Sequence, residues 1–480
     1  MMGLCALLAW NSLQFNSRQL PVQSASVNMT VNPKIAFEHL SQAIALPTIS
    51  WQNPQAESHA PFDRLHQLFR RAYPQIYKQL KPQRLGNSLL IEWNSHNKRQ
   101  KPILLAAHLD VVPIEQAAKW EQGAFSGKRH QGYVWGRGAL DDKSSAMAIL
   151  EALETLLKQG IKPAQSLYIA FGEDEEIGGR KGAQKIAAKL KQRGIRLAAV
   201  LDEGTAIVPG SLIGLAAPVA LIGIAEKGYL TLELTAKVAG GHSSMPGTEN
   251  AVFLLSQALS RLQANPLPAR LDGTAGSLFD WLGPEMTFVN KLALANRWLT
   301  SPLLIRQLSQ KPSTQAMIRS TMAPTMLKAS PKENVLASQA IALINLRVLP
   351  GDSIESIRSH FQASIADSRV SIRVVSDPVV SQASRVSSSE SAFFKVLHRS
   401  IRQVFPESKV APSLVLAATD SRHYESITEN TYRFLPIAIS ESDFDRIHGQ
   451  NERISEAGYL KAIQFYQQLM LNIAQAAPSP

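Results

Sequence analysis

The chain contains a single cysteine, Cys5, in 480 residues. No disulfide can close within it, and a thiolate-rich metal site is excluded. Any bound metal ion must be held by His, Asp and Glu. Charge is also scarce: 18 % of residues are Asp, Glu, Lys or Arg, below the usual quarter. No apolar run approaches the roughly 20 residues needed to cross a bilayer. The short run Gly3–Trp10 lacks the leading positive charges of a standard signal peptide, and reads as a clipped signal, a clipped anchor or a start-site choice. There is no low-complexity tract and no repeat of 20–50 residues.

What is present points to an ordinary folded protein. Hydrophobic residues make up 45 % of the chain, and its length suggests two domains. The net charge of +12 is scattered; its densest patches, His96–Lys101 and Lys189–Arg196, are short and read as solvated surface. No basic stripe interleaved with aromatics supports nucleic-acid binding.

After a lead-in over 1–34, a helix is expected over Ile35–Ala45. Leu89–Trp93 and Ile103–His108 read as buried strands, Ser144–Lys158 as a helix, and Ser166–Phe171 and Ala198–Asp202 as strands. This alternation predicts an α/β catalytic domain with a central, mostly parallel sheet, beginning at 35 and interrupted at 222. Such sheets place their chemistry at the carboxyl ends of the strands, where the acidic residues fall here. From 223 to 380 the pattern changes. Tyr229–Val238, Ala340–Val348 and Val370–Val375 read as strands, the first and last alternating; Asn250–Gln263 and Ser353–Ala366 read as helices. An inserted α+β domain with one solvated sheet face is expected, with Leu267–Lys332 as its elaboration. Residues 381–480 complete the first domain.

Five clusters carry chemistry. In Ala107–Val112, His108 and Asp110 sit two apart, so a strand would point both the same way. Gly136–Lys143 brings two carboxylates, Asp141 and Asp142, to a helix start, where the dipole favours them. Phe171–Gly179 places Glu173, Asp174, Glu175 and Glu176 in succession after a buried strand; these repel unless cations compensate. Asp202 and Glu203 end another strand, and His448 lies far along the chain. Taken singly, these clusters read as a strand-end turn, a helix cap, a solvated acidic loop and a structural histidine.

Taken together, in this order and spacing, they resemble the zinc metallopeptidase family of acetylornithine deacetylase, succinyl-diaminopimelate desuccinylase, aminoacylase and the bacterial glutamate carboxypeptidases. The likeness runs from about Phe37 to Gln475. It is nearest to carboxypeptidase S and the secreted N-acyl-amino-acid hydrolases, through Gly136–Lys143, Leu201–Gly204, Lys332–Val335 with Arg347–Gly351, and Thr419–Tyr424. The resemblance implies two Zn2+ ions, with Co2+ or Mn2+ as substitutes. One is held by His108, Asp141 and Asp202, the other by Asp141, Glu176 and His448. It implies Glu175 as general base and acid, Asp110 as the residue orienting His108, and a cis Asp141–Asp142 bond. It makes the second domain a ferredoxin-like lid and dimerisation unit. There His242 would stabilise an oxyanion, Arg347 would grip a carboxylate, and Asn334 would contact substrate.

The activity so implied is hydrolysis of an amide or peptide bond beside a free carboxylate, on a small peptide or an N-acyl amino acid. A small-molecule N-deacylase of amino-acid metabolism and a catalytically inactive binding relative are the rival readings. A homodimer through the lid and a weak membrane association at the N-terminus are further expectations. A periplasmic, secreted or membrane-anchored location is favoured over a cytoplasmic one.

Overall fold

The computed structural model describes residues 2–21, 31–53, 59–95, 99–376 and 380–475; residues 96–98 of the basic patch His96–Lys101 lie outside it. One sheet organises the larger domain. Its strands run in the order Gln83–Leu85, Ser88–Trp93, Leu167–Gly172, Ile103–His108, Ala199–Asp202, Thr431–Arg433, Val219–Glu226 and Lys409–Val415, with Ile207–Val208 paired to Val219–Glu226. Ile103–His108 lies parallel to both its neighbours, and Ala199–Asp202 and Lys409–Val415 each pair in parallel as well. The strands at the centre are buried on both faces, which is why Ile103–His108 and Leu167–Gly172 read as continuous apolar runs.

Helices cover the sheet. Pro33–Ile44 begins at Asn32, whose side chain accepts from the N–H of Lys34, with Pro33 at the first turn. Lys143–Lys158 is buried along nearly its whole length between the sheet, Pro33–Ile44 and the C-terminal helix Glu456–Gln475. Two of its buried acids are satisfied. Glu151 meets His39 at 2.6 Å and the Tyr73 hydroxyl at 3.0 Å, and Glu154 accepts from the N–H groups of Gln75 and Ile76.

The chain passes from the large sheet into the second at Lys227, between Val219–Glu226 and Gly228–Lys237, rather than at 222/223. The second sheet is antiparallel, ordered Thr321–Lys328, Gln339–Val348, Gly228–Lys237, Val370–Val375. Ala251–Ala264 and Ile354–Ile365 pack on one face, where Leu230, Leu232, Leu234, Ile344, Leu346 and Phe361 form a separate core. The β-α-β-β-α-β order is ferredoxin-like.

One expectation is corrected. Leu267–Lys332 is not wholly an elaboration of the second domain. Gly273–Leu282 packs along Lys409–Val415 at the edge of the large sheet, and Leu278, Trp281 and Leu282 join the large core. Trp281 stacks edge-on against Phe394 and His398, each 5.3 Å away. The N-terminal helix Met2–Gln14 leans on Phe288–Ala295 of the same stretch.

Candidate active site

Five chain segments meet at the carboxyl ends of the strands, carrying His108, Asp141, Glu176, Glu203 and His448. The Ile103–His108 strand ends at His108, whose Nε2 lies 2.8 Å from Asp141 Oδ1 and whose Nδ1 lies 3.0 Å from the Asp110 carbonyl oxygen. The other oxygen of Asp141 is 3.0 Å from His448 Nε2, which also reaches Glu176 Oε2 at 3.1 Å. Asp141 thus touches both histidines, and its peptide bond to Asp142 is cis.

The Asp110 carboxylate does more than face the His108 ring, which it approaches at 3.4 Å. It accepts the backbone N–H of Glu175 at 3.0 Å and of Glu176 at 3.1 Å, one on each oxygen. Asp110 therefore fixes the turn that presents both glutamates. Glu176 then meets His448 through Oε2 while its Oε1 stays without a hydrogen-bond partner.

The sequence reading chose Asp202; the geometry favours its neighbour. Among the described residues, the ligand atoms of His108, Asp141 and Glu203 lie within 4.8 Å of one another, as do those of Asp141, Glu176 and His448. Asp202 belongs to neither group. It ends its strand with its carboxylate buried: Oδ1 accepts the N–H of Glu203 at 3.0 Å, Thr419 and Arg433 lie nearby, and Oδ2 has no hydrogen-bond partner. Adjacent side chains leave an extended backbone on opposite sides, so only one of the pair can face the cleft.

A buried ion pair underpins His448. Arg137 Nη1 donates to Glu452 Oε2 at 2.6 Å, and Arg137 Nη2 donates to the carbonyls of His448 and Gly449. Glu452 Oε1 accepts from the N–H groups of Gly138, Leu140 and Asp141. One salt bridge thereby ties the loop of the shared aspartate to the loop of the distant histidine. His448 itself adopts φ 59°, a left-handed conformation rare for residues with a Cβ. The sequence marked neither Arg137 nor Glu452 for a role, since a buried pair over 300 residues apart leaves no local periodicity. Glu226 does similar service elsewhere: it accepts from Thr419 N–H and Oγ1, Ser421 Oγ and Arg433 Nε, all buried.

The electrostatics show a site short of positive charge. Burial, joined by Asp420, Glu176 and Asp141, pushes the Glu175 carboxyl well above its ordinary range, despite the opposing pull of His108. Burial and the charges of Asp141 and Asp142 do the same to Glu203. Burial raises Glu176, against the hydrogen bond from His448. Hydrogen bonds to Asp141 and Glu176 hold His448 up at about 10. Burial would lower His108, but Asp110 and Asp141 outweigh it and raise it well above its usual value. Asp141 alone among these acids goes the other way: burial would raise it, but His108 and His448 hold it below its ordinary range. The remaining shifts share one sense: the cluster favours added cations. Glu176 Oε1 is buried without a hydrogen-bond partner. An oxygen- and imidazole-rich donor set of this kind suits Zn2+ or another first-row divalent ion, so the residues fit a metal. A cleft of about 780 Å3 opens beside His448, lined by Trp120, Arg137, Arg446, Gln450 and Arg453 among others.

The three second-domain candidates are not brought to this cluster by any contact among the described residues. His242 is exposed on the short Gly241–His242 strand, its Nδ1 accepting from the N–H of Ser244. Asn334 is exposed, and its carbonyl accepts the N–H of Ser243. Arg347, half-buried, stacks over Tyr229 at 5.0 Å.

Residues 104–472 match the family described as Peptidase family M20/M25/M40. The chain belongs to this family. This M20 peptidase is 39 % identical over 482 residues to "Probable carboxypeptidase S-like 2" of Dictyostelium discoideum, covering 98 % of this chain and 92 % of that one. It is 40 % identical to "N-fatty-acyl-amino acid synthase/hydrolase PM20D1" of Xenopus tropicalis, covering 92 % and 86 %. Its fold matches an M20 family metallo-carboxypeptidase from Sulfolobus solfataricus with a TM-score of 0.63 at 19 % identity, over 92 % of this chain and 99 % of that one. Human carnosine dipeptidase 1 shares the fold at a TM-score of 0.59 and 14 % identity, over 98 % and 99 %. The M20 chain is accordingly a hydrolase of the metallopeptidase type, with a catalytic and a lid domain.

Proposed function

We propose that this M20 hydrolase cleaves the amide bond of N-acyl amino acids and small peptides beside a free carboxylate, using two divalent ions, Zn2+ in the first place. The observation that carries this reading is the meeting of His108, Glu203, Glu176 and His448 around the one carboxylate of Asp141. His108, Asp141 and Glu203 would hold one ion; Asp141, Glu176 and His448 would hold the other. When bound there, such ions polarise a carbonyl and lower the pKa of water.

The chain's own residues do the rest. Glu175, its backbone pinned by Asp110, receives the proton of the attacking water on its carboxylate and hands it to the departing nitrogen. Arg347 on the lid sheet would grip the substrate carboxylate with paired hydrogen bonds. His242, with Asn334 beside it, would donate to the oxyanion once the lid closes. The names of the two curated relatives support a carboxypeptidase or fatty-acyl-amino-acid substrate. A homodimer through the lid is supported by the exposed edge strand Thr321–Lys328, whose Met326 and Leu327 face outward.

A hydrolysis screen of N-acyl amino acids and Gly-X dipeptides, run with zinc on the natural chain and on Glu175→Gln, tests the reading. The natural chain should cleave at least one class, and the variant should keep its metal while losing at least ~100-fold in kcat. Full turnover by the variant would remove Glu175 from the chemistry. No turnover of either class by the zinc-loaded natural chain would contradict the assigned substrates.

A further inference from the structure

We propose that a pocket on the helix face of the second sheet binds a monocarboxylate carrying an apolar chain, with Arg319 holding the carboxylate. The pocket encloses about 460 Å3, within the range of small-molecule sites. Its apolar walls come from Leu259 of the helix Ala251–Ala264, Pro266 and Leu267 after it, Met322 and Pro324 of the edge strand, and Ile344 of the next strand. Among the described residues that line it, Arg319 alone is charged.

Arg319 is a cation without an anion. It is only 8 % exposed. Its Nη2 donates to Ser309 Oγ at 2.9 Å, and its Nε is buried without a hydrogen-bond partner. Burial holds the guanidinium below the usual arginine range, and no carboxylate among the described residues counters that. Asp352, bonded to the adjacent Ser320, is already occupied: it accepts from the Ser320 hydroxyl and from Arg270 Nη1. An unpaired charge is costly to bury, so a group placed like this one calls for an anion. The main chain around it is fixed in advance. The Ile318 carbonyl accepts the N–H of Arg270 at 2.8 Å, and the Arg319 carbonyl accepts from Lys227 Nζ at 2.8 Å. A guanidinium already in place loses little freedom when a ligand arrives.

Charge and lining select the ligand. One cation balances one negative charge, whereas a phosphate dianion would leave a buried surplus. The planar guanidinium fork matches the two oxygens of a carboxylate. The apolar walls gain from covering a hydrocarbon chain. The pocket is also separate from the metal cleft. Ile344 lies on the helix side of the sheet, with Leu230, Leu232 and Leu346. Arg347 stands an odd number of positions further along the same strand, so its side chain leaves the opposite face, where it stacks over Tyr229. Occupancy of the pocket therefore needs neither the divalent ions nor turnover.

Isothermal titration calorimetry of decanoate into the full zinc-loaded chain, with thermal denaturation beside it, tests this. Decanoate should bind and raise the melting temperature, as a ligand of the folded state does. It should still bind in Arg347→Ala, which lacks the carboxylate grip proposed for the cleft. In that background, adding Arg319→Gln should weaken binding at least ~10-fold, the scale of a hydrogen bond to a charged group. Adding Leu259→Trp instead, which fills the space and leaves Arg319 intact, should do the same and guards against a folding defect from the first change. Acetate, which lacks the chain, should bind at least ~10-fold more weakly than decanoate. A natural chain that takes up no decanoate, binding abolished by Arg347→Ala alone, binding unchanged by both pocket substitutions, or acetate bound as tightly as decanoate would each overturn the proposal.

Discussion

At the scale of single residues, the site turns on which of two adjacent acids faces the cleft. His108, Asp141, Glu176 and His448 were legible because each stands in a motif whose spacing is chemical. Asp202 and Glu203 were not separable that way. Both follow the same apolar strand, and only the pleat decides that Glu203 joins His108 and Asp141 while Asp202 turns to Thr419. Replacing each in turn makes the distinction measurable. Glu203→Ala should lose close to one metal equivalent per chain and most of the turnover. Asp202→Ala should keep both ions and fail, if at all, through stability, because its carboxylate lies outside both ligand groups. Metal analysis of the two purified variants reads this directly, and the reverse pattern would restore Asp202 as the ligand.

At the scale of elements, most strands and helices were readable from their periods: Val370–Val375 falls where its alternation puts it, and Lys143–Lys158 where its apolar spacing does. What escaped was long-range. Gly273–Leu282 sits in the sequence of the inserted domain, and nothing local says that Trp281 packs on Phe394 and His398 of the catalytic core. The tie between the loops of Asp141 and His448 is hidden for the same reason. Glu452→Ala leaves Arg137 buried without its anion, which should cost roughly 3–5 kcal/mol of folding stability. It also frees three N–H groups around Asp141, so chemical denaturation and kcat should fall together in this variant; a normal unfolding midpoint would mean that the pair is dispensable. His398 gives a pH signature. Burial and the nearby Arg402 hold its imidazole down at about 4 in the folded chain, where its Nε2 accepts from the N–H of Leu20. The unfolded chain takes up that proton near 6.5. Between the two values the unfolded state binds more protons, so folding stability declines as pH falls from 6.5 towards 4, by up to about 3 kcal/mol from this group. His398→Gln keeps an acceptor and cannot titrate; its stability at pH 7 minus that at pH 5 should be smaller than in the natural chain. An identical difference would place the pH dependence elsewhere.

At the scale of the whole molecule, two domains meet at Lys227, whose buried Nζ donates to the Arg319 carbonyl at 2.8 Å. Burial and the charge of Arg347 lower this lysine to about 8. The passage between the sheets thus runs beside the arginine proposed to hold the substrate carboxylate. The metal cluster belongs wholly to the larger domain, and His242, Asn334 and Arg347 wholly to the smaller, so catalysis on the proposed route needs the lid to approach. The central proposal is narrower: five side chains, with Asp141 shared between two groups, would hold the divalent ions on which amide cleavage depends. Stripping the chain with a chelator and titrating zinc back, with hydrolysis of an N-acyl amino acid as the readout, tests it most directly. Turnover should vanish on stripping, return as zinc fills two sites per chain, and fail to return in Asp141→Ala. Undiminished turnover in the stripped chain, or full recovery in that variant, would contradict it.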